Sequence, residues 1–348
     1  MTSMDSPPSP RAVDVVARPT LDDVARLAEV SRKTVSRVMS GGQNVAPDTR
    51  ERVLRAARAL RFRPNAVARD LRTGGTSRTV AFVIGDLTNP FYAAVAAGVE
   101  RALARQDLTM VLAATEDLVE REAQAVTAML ERRVRALLLV PIADDHSYLD
   151  GERELGTPIV AVDRPLSHAV SDLVVLDNRG GAAQALRALV DAGHRRIAFV
   201  GSSSRLRPHA ERRSGYEDVL RAAGLPVDAE LIRQDAPDVD AAEAATRRLL
   251  ALPEPPTAVF TANNRATAGA ARALRGHPSR VVLFGFDDFE LAQATGVSVV
   301  AYDPAQMGEA AAALALERLG RPSRTTEQVT LPTRVVVRGD LAPAVPAG

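Results

Sequence analysis

The sequence predicts an all-α helix-turn-helix head with a hinge helix, followed by an α/β body of two doubly wound parallel-sheet subdomains. Residues 20–72 show short helical periods and no strand pattern. After residue 78, continuous apolar runs such as TVAFVIGD (79–86) alternate with helical periods, which is typical of parallel strands buried between helices. About nine or ten such runs are too many for one comfortable sheet, which favours two.

The head reads as three short helices in sequence. Thr20, with Asp23 three residues later, resembles a capping box and predicts the first helix start. Ser31 is suited to cap a second helix that ends near Met39. Because so few residues separate these two helices, the pair suits a helix-turn-helix. A third helix is predicted to begin at Pro47, although Ala46 before it cannot supply a side-chain cap.

Composition shifts give the expected domain boundaries. The first residues are Ser/Pro-rich, and Thr73-Gly74-Gly75 resembles a linker. The predicted division is a disordered leader at 1–18, the helix-turn-helix domain at 19–64, the hinge helix and linker at 65–77, the body at 78–341 and a tail at 342–348. Within the body, residues 78–177 and 304–327 are assigned to a first subdomain, and residues 178–303 and 328–341 to a second.

The net charge of +1 conceals an asymmetry between head and body. Residues 1–78 contain 15 Lys/Arg and 8 Asp/Glu, a net of +7, whereas the remainder has a net of −6. A basic head on an acidic body predicts a polyanionic partner for the head alone. A solvated basic helical surface without a partner is the alternative reading.

Several classes of protein are disfavoured by what the sequence lacks. It has no cysteine, so disulfides and thiolate chemistry are excluded. No run of about 18 apolar residues predicts a membrane span. The five histidines lack metal-ligand spacing, and no P-loop motif occurs. We therefore expect no catalytic residue, no metal site and no cofactor.

Polar residues follow several of the predicted strands. Asp86, Asp163, Asn263 and Asp287 each stand where an apolar run ends. In open α/β sheets, ligands bind outside the carboxyl ends of the strands. Two such edges facing each other would form a polar cleft.

The motifs resemble the LacI family of bacterial transcription repressors. In the head they are TLDDVARLAEVSRKTVSRVM, NVAPDTRERV and FRPNAVARDL, and in the body DLTNPFY, AVDRP, GHRRIAFVGS, ERRSGY, TAVFTANN, GFDD and DPAQMG. The resemblance covers roughly residues 20–340. It implies a body like the periplasmic sugar-binding proteins, including the ribose-binding protein, with a small ligand held between two lobes.

The resemblance also implies which residues meet DNA. The second helix would lie in the major groove, with Arg32, Lys33 and Arg37 at base edges. Its first-turn cations oppose the helix dipole, and the negative potential of DNA would compensate. Candidates for phosphate contacts are Ser31, Thr34, Ser36, Thr49 and Asn65. In the hinge helix, Leu71 would wedge into the minor groove, and the small Ala68 would let two hinge helices pair closely.

Nine positions of the body correspond to the family's effector site. They are Asn89, Phe91, Tyr92, Asp163, Arg164, Arg212, Asn263, Asp287 and Tyr302. Arg and Asp side chains suit sugar hydroxyls, and aromatic faces suit a pyranose ring. The alternative role for Asp163, Asn263 and Asp287 is that of loop caps, and the alternative for Phe91 is an ordinary core residue. Tyr302 replaces an amide, and Asn264 an aspartate, that relatives usually carry.

The expected function is a cytoplasmic, homodimeric, DNA-binding repressor whose affinity for a pseudo-palindromic operator is controlled by a small effector, a sugar. A sugar-responsive activator or dual regulator is the alternative. A stand-alone sugar-binding protein is disfavoured by the basic head.

Overall fold

The computed structural model describes residues 18–42, 44–63, 77–278 and 280–343. It divides into two compact units between Ser77 and Arg78. The predicted leader as far as residue 17, the hinge residues Asn65, Ala68 and Leu71, and residues 344–348 of the predicted tail lie outside the described residues.

The described part of the head contains three helices, and the predicted caps start two of them. The helices are α1 (Leu21–Ala28), α2 (Arg32–Met39) and α3 (Pro47–Ala59). Thr20 Oγ1 accepts the amide of Asp23 over 3.3 Å, and Asp23 Oδ2 accepts the amide of Thr20 over 2.9 Å. The capping box is therefore confirmed. Ser31 Oγ accepts the amide of Thr34 over 3.1 Å, which confirms the cap of α2.

Packing holds α3 in place without a side-chain cap. Ala46 occupies the N-cap position of α3 and makes no capping hydrogen bond, as the sequence predicted. Each helix contributes one fully buried valine to a single apolar cluster: Val24, Val35 and Val53. Burial of this kind contributes about 1.5–3 kcal/mol for each large side chain, which outweighs the roughly 1 kcal/mol of a missing cap.

The body contains two six-stranded sheets. The strands of the first sheet, in spatial order, are β11 (Gln328–Leu331), β5 (Asp172–Leu176), β4 (Ile159–Val162), β3 (Ala136–Leu139), β1 (Thr79–Ile84) and β2 (Thr109–Ala114), all parallel. The strands of the second are β12 (Arg334–Val336), β10 (Ser298–Ala301), β9 (Val282–Phe286), β8 (Ala258–Thr261), β6 (Ile197–Val200) and β7 (Ile232–Arg233). In the second sheet only β12 runs antiparallel to its neighbour.

Helices cover both faces of these sheets. They are α4 (Pro90–Ala104), α5 (Val119–Glu131), α6 (Asp150–Glu154), α7 (Asn178–Asp191), α8 (Arg207–Ala222), α9 (Val239–Leu250), α10 (Asn264–Leu274), α11 (Glu290–Thr295) and α12 (Pro304–Gly320). On β1, Val80 and Phe82 pack into the cluster that contains residues of α4, whereas Ala81 and Val83 pack into the cluster that contains residues of α5. Alternate residues of a strand point to opposite faces, so the predicted doubly wound architecture is confirmed.

The predicted boundary after residue 327 is wrong. Strand β11 pairs with β5 in the first sheet, so the chain enters the second sheet only after Leu331. The buried carboxylate of Asp172 explains this placement, because it accepts the amide of Glu327 over 2.9 Å and pairs with Arg318 Nε over 2.6 Å. We call the lobe around the first sheet the first lobe and the lobe around the second sheet the second lobe. Within the described residues, no helix is long and apolar enough to span a membrane.

Candidate functional site

The cations of α2 form an exposed basic surface on the head. Arg32, Lys33 and Arg37 are exposed and share a shallow concave surface with Ser36 and Ser40. The first turn of α2 contains no acidic residue. The predicted base-reading side chains therefore lie together on the face of α2 that is directed away from the core of the head.

The predicted phosphate-contacting residues of the head have structural partners as well. Ser31 Oγ and Thr34 Oγ1 lie 2.9 Å apart, so these hydroxyls also fix the start of α2. Ser36 and Thr49 are half-buried, Ser36 on α2 and Thr49 in the first turn of α3. Asn65, Ala68 and Leu71 remain predictions, because they lie outside the described residues.

All nine predicted effector residues line one cleft between the two lobes. The empty space of the cleft is about 670 Å³, a figure that includes its opening to solvent. The other lining residues, which the sequence did not single out, are Asp117, Ser202, Leu206, Pro208, His209, Pro237 and Arg265.

Two aspartates are presented by the same local geometry. Asp163 directly follows β4 with φ of 72°, and Asp287 directly follows β9 with φ of 77°. Their amides donate to Val174 O over 2.8 Å and to Val300 O over 3.0 Å, in the neighbouring strands. A positive φ costs a non-glycine residue about 1–3 kcal/mol. Asp163 and Asp287 therefore adopt the same unfavourable backbone conformation at equivalent positions of the two lobes.

Arg164 forms part of the first-lobe wall and carries unsatisfied donors. Its Nη2 donates to the hydroxyl of Tyr92 over 3.1 Å, and its Nε lies 3.6 Å from Asp163 Oδ2. The residue is only 6% exposed, and its Nε and Nη1 have no hydrogen-bond partner within the described residues. Leaving buried donors unsatisfied is costly, so an acceptor oxygen in the cleft would stabilise this side chain. Burial raises the pKa of the Asp163 carboxyl, against the opposing effect of Arg164.

Arg212 is fixed on the second-lobe wall by three neighbours. Its Nε donates to Asn178 Oδ1 over 2.8 Å, and its Nη1 donates to Ala262 O over 2.6 Å. Its guanidinium lies over the ring of Phe286, 3.7 Å from the ring centre. These contacts determine its orientation before any ligand binds.

Asp287 lies beside Arg212 and is fully hydrogen-bonded. Tyr302 donates its hydroxyl to Oδ1 over 2.7 Å, and the amide of Asn264 donates to Oδ2 over 2.9 Å. Arg212 Nη1 is 3.8 Å from Oδ1. Burial raises the pKa of Tyr302, which keeps its phenol protonated as a donor. The departure at Tyr302 thus has a structural role, since the phenol orients Asp287.

His209 is a cleft residue that sequence reasoning missed. The ring is buried, and its Nδ1 accepts the amide of Ser202 over 3.3 Å. Burial, followed by the charges of Arg212 and Arg164, lowers its pKa to about 3. His209 is therefore neutral near pH 7, and its proton resides on Nε2. Nothing in the sequence indicated that His209 lines the cleft, because a single histidine without metal-ligand spacing has no recognisable pattern.

Several contacts join the two lobes across the cleft. Asn264 Nδ2 donates to Asn89 Oδ1 over 2.9 Å, and the guanidinium of Arg265 pairs with Asp86. The rings of Phe91 and Tyr302 meet edge to face, 6.2 Å apart. Phe91 is thus a contact between lobes as well as a lining residue.

The amide side chains of the cleft, Asn89 and Asn263, also act as helix caps; a capping role was the alternative for Asn263 and was not foreseen for Asn89. Asn89 Oδ1 accepts the amide of Phe91 over 3.1 Å at the start of α4. Asn263 Oδ1 accepts the amide of Ala266 over 2.8 Å at the start of α10. Their amide nitrogens remain the groups with which they can serve a ligand. Among the described residues, no cluster of potential metal ligands occurs.

Comparisons with known proteins match both units. A model described as "Bacterial regulatory proteins, lacI family" matches residues 20–65, and one described as "Periplasmic binding proteins and sugar binding domain of LacI family" matches residues 77–335. The regulator CelR of Thermobifida fusca is 34% identical, over 92% of this chain and 98% of its own. The ribose operon repressor of Haemophilus influenzae is 29% identical, over 92% of this chain and 97% of its own. The solved CelR–cellobiose complex superposes with a TM-score of 0.69 at 32% identity, over 93% of this chain and 100% of that chain.

Proposed function

The chain belongs to the LacI family of bacterial regulatory proteins, and from this premise we propose that it represses transcription by binding an operator and responds to an uncharged sugar or polyol in its cleft. The observation that carries the proposal is the convergence of nine polar and aromatic side chains on one cleft, in a chain that also has a basic head. Because an operator is chromosomal DNA, a cytoplasmic location is part of the proposal.

Charge pairing in the cleft supports an uncharged ligand. Each arginine there has an aspartate nearby: Arg164 with Asp163, Arg212 with Asp287 and Arg265 with Asp86. His209 adds no charge, because its pKa is about 3. Asp117 also lines the cleft and forms no ion pair with the described residues. A phosphate or carboxylate would therefore meet no arginine without an aspartate nearby to oppose it, whereas hydroxyl groups can use the remaining N–H donors and carboxylate oxygens.

The aromatic residues support a ring with apolar C–H faces. Phe91 and Tyr92 lie edge to face, 5.0 Å between ring centres, on the first-lobe wall. The ligand named in the CelR complex, cellobiose, is an uncharged sugar, and the ribose operon repressor is named for the operon of another uncharged sugar.

DNA recognition is proposed to follow the family's geometry. Arg32, Lys33 and Arg37 read bases in the major groove, and Ser31, Thr34, Ser36 and Thr49 approach phosphates. Asn65, Ala68 and Leu71 complete the contact through the hinge. One helix-turn-helix makes a small contact area, so a homodimer on a pseudo-palindromic site is part of the proposal.

Selection from random DNA, repeated with a panel of monosaccharides and disaccharides, tests the proposal. We expect a pseudo-palindromic site and one sugar that lowers affinity for it roughly 5- to 150-fold, the usual range of allosteric coupling. If no sequence is enriched, the operator assignment is wrong. A sugar that strengthens binding would identify a co-repressor and contradict induction.

A further inference from the structure

Arg32 is the only one of the three predicted base readers with a carboxylate partner among the described residues. Its Nη1 lies 3.6 Å from Oδ2 of Asp22, which belongs to the first turn of α1. Within the same described part of the chain, Lys33 and Arg37 have no ion pair. The contact joins the two helices of the helix-turn-helix at the edge where α2 begins.

The helix dipole favours an acidic residue in the first turn of α1, but neither the cap nor the core requires Asp22. The neighbouring Asp23 forms the capping box with Thr20, so the cap of α1 does not need Asp22. The side chain of Asp22 is 58% exposed and that of Arg32 is 60% exposed, so neither is required for the core. The pair lies on the surface that the proposed function assigns to DNA.

The contact with Asp22 leaves two adjacent N–H donors of the Arg32 guanidinium available for a base. A guanidinium has five N–H donors, and guanine O6 and N7 require two of them side by side. With Nη1 beside Asp22, Nε and Nη2 remain as an adjacent pair of donors. A free arginine side chain samples many rotamers, and binding must restrict it. A carboxylate that holds one corner of the guanidinium restricts it beforehand.

We propose that Asp22 is a positioning residue for sequence recognition, because it holds the Arg32 guanidinium in the orientation that reads one base pair of the operator. This inference rests on the proposed function, since it requires Arg32 to face DNA. An acidic residue would then have two opposed effects on DNA binding. Asp22 repels phosphate and so weakens binding to DNA in general, yet it sharpens discrimination at one position.

Asp22→Asn separates these two effects, and Asp48→Asn is the matched control. Asp48 lies in the first turn of α3, is exposed, and has no ion pair within the described residues, so its substitution removes the same charge from the same unit. The base pair read by Arg32 is first located as the position whose preference is lost in Arg32→Ala. Competition binding of wild type and each variant then compares the selected operator with the operator substituted at that position.

We expect Asp22→Asn to lose about two- to fivefold of the discrimination at that base pair, the range of an exposed ion pair. Its affinity for non-specific DNA should stay equal or rise. Asp48→Asn should bind all sequences equally or more tightly and keep every preference. The proposal is overturned if Asp22→Asn keeps the wild-type preference at that base pair, since Asp22 would then only repel DNA. A wild-type protein that enriches no sequence would instead overturn the operator assignment, before any variant is compared.

Discussion

Asp163 and Asp287 occupy matching positions in the two lobes, but their carboxylates differ in how they are satisfied. Each follows a strand with a positive φ and donates its amide to the adjacent strand. Both oxygens of Asp287 accept protein donors, whereas the side chain of Asp163 has, among the described residues, only Arg164 Nε at 3.6 Å. Asp287 is therefore held by the protein, and Asp163 is the carboxylate with more capacity for a ligand's hydroxyl groups.

Asp163→Asn is expected to weaken effector binding and to stabilise the unliganded body at neutral pH. Asparagine keeps the size of the side chain and removes the charge that burial penalises. A hydrogen bond to an ionised acceptor contributes about 1.5–3 kcal/mol, so affinity should fall roughly 10- to 100-fold. Calorimetry with the sugar from the panel measures the first effect, and denaturant unfolding at pH 7 measures the second.

The pH dependence of stability provides a control for Asp163→Asn. The charged groups that influence Asp163 are Arg164, Arg212, Asp287 and Glu211. Its folded pKa is raised above the unfolded value of about 3.9, so the folded state takes up the proton first. The contribution of Asp163 to the free energy of unfolding therefore increases as pH falls from the folded pKa towards that value. A variant that is less stable than wild type at pH 7 would contradict the burial argument.

His209→Gln is expected to reduce the loss of stability in mild acid. The folded pKa of about 3 lies below the unfolded value of about 6.5, so the unfolded chain takes up the proton first. Stability from this residue is complete above about pH 6.5 and falls by up to about 1.4 kcal/mol per pH unit below it. Unfolding of wild type and variant between pH 7 and 4 measures the difference. The exposed His168 is the control, and a His168→Gln variant with the same effect would refute the assignment to His209.

Gly308→Ala is expected to destabilise the first lobe, because α4 and α12 approach each other through glycine. A Cβ at Gly308 would clash with the carbonyl oxygen of Val95, and a Cβ at Gly98 would clash with that of Ala305. Backbone cannot yield as a flexible side chain does, so we expect a cost of at least about 1–3 kcal/mol in denaturant unfolding. Gly320, at the end of α12, has no atom within 4 Å of a Cβ. Gly320→Ala should be neutral or slightly stabilising, and equal losses in both variants would exclude the close approach as the cause.

The sequence predicted the architecture because its signals were local, and it missed features that depend on distant partners. Apolar runs such as 79–84 indicate strands by themselves, and their polar ends indicate the cleft. The sheet to which β11 belongs depends on Asp172, about 155 residues earlier in the chain, and no local pattern reports that contact. His209 and Arg265 were missed for a related reason. Their roles arise from burial near Arg212 and from pairing with Asp86, which only the fold brings about.

Arg212→Ala is expected to abolish the response to the effector and to leave operator binding without effector unchanged. Among the described residues, Arg212 contacts Asn178, Ala262, Phe286 and Asp287, which all belong to the body, and it is not one of the residues proposed to contact DNA. The substitution to alanine would remove a charged donor from the cleft and would remove the hydrogen bond that Asn178 Oδ1 accepts from Arg212. An effector shifts DNA binding only by its different affinity for two states of the protein, and a ligand that no longer binds cannot shift it. Fluorescence anisotropy of a labelled operator, titrated with the sugar, should therefore lose its roughly 5- to 150-fold response.

The neighbouring Arg213 is the matched control for this experiment. It pairs with Glu217 over 2.7 Å along α8 and does not line the cleft. Arg213→Ala removes the same charge from the same helix, so it should keep the full response at the wild-type sugar concentration. An Arg212→Ala protein that still responds at that concentration would show that Arg212 does not hold the ligand. If both variants lose the response while binding the operator normally, the effect belongs to the stability of α8 and not to the guanidinium in the cleft.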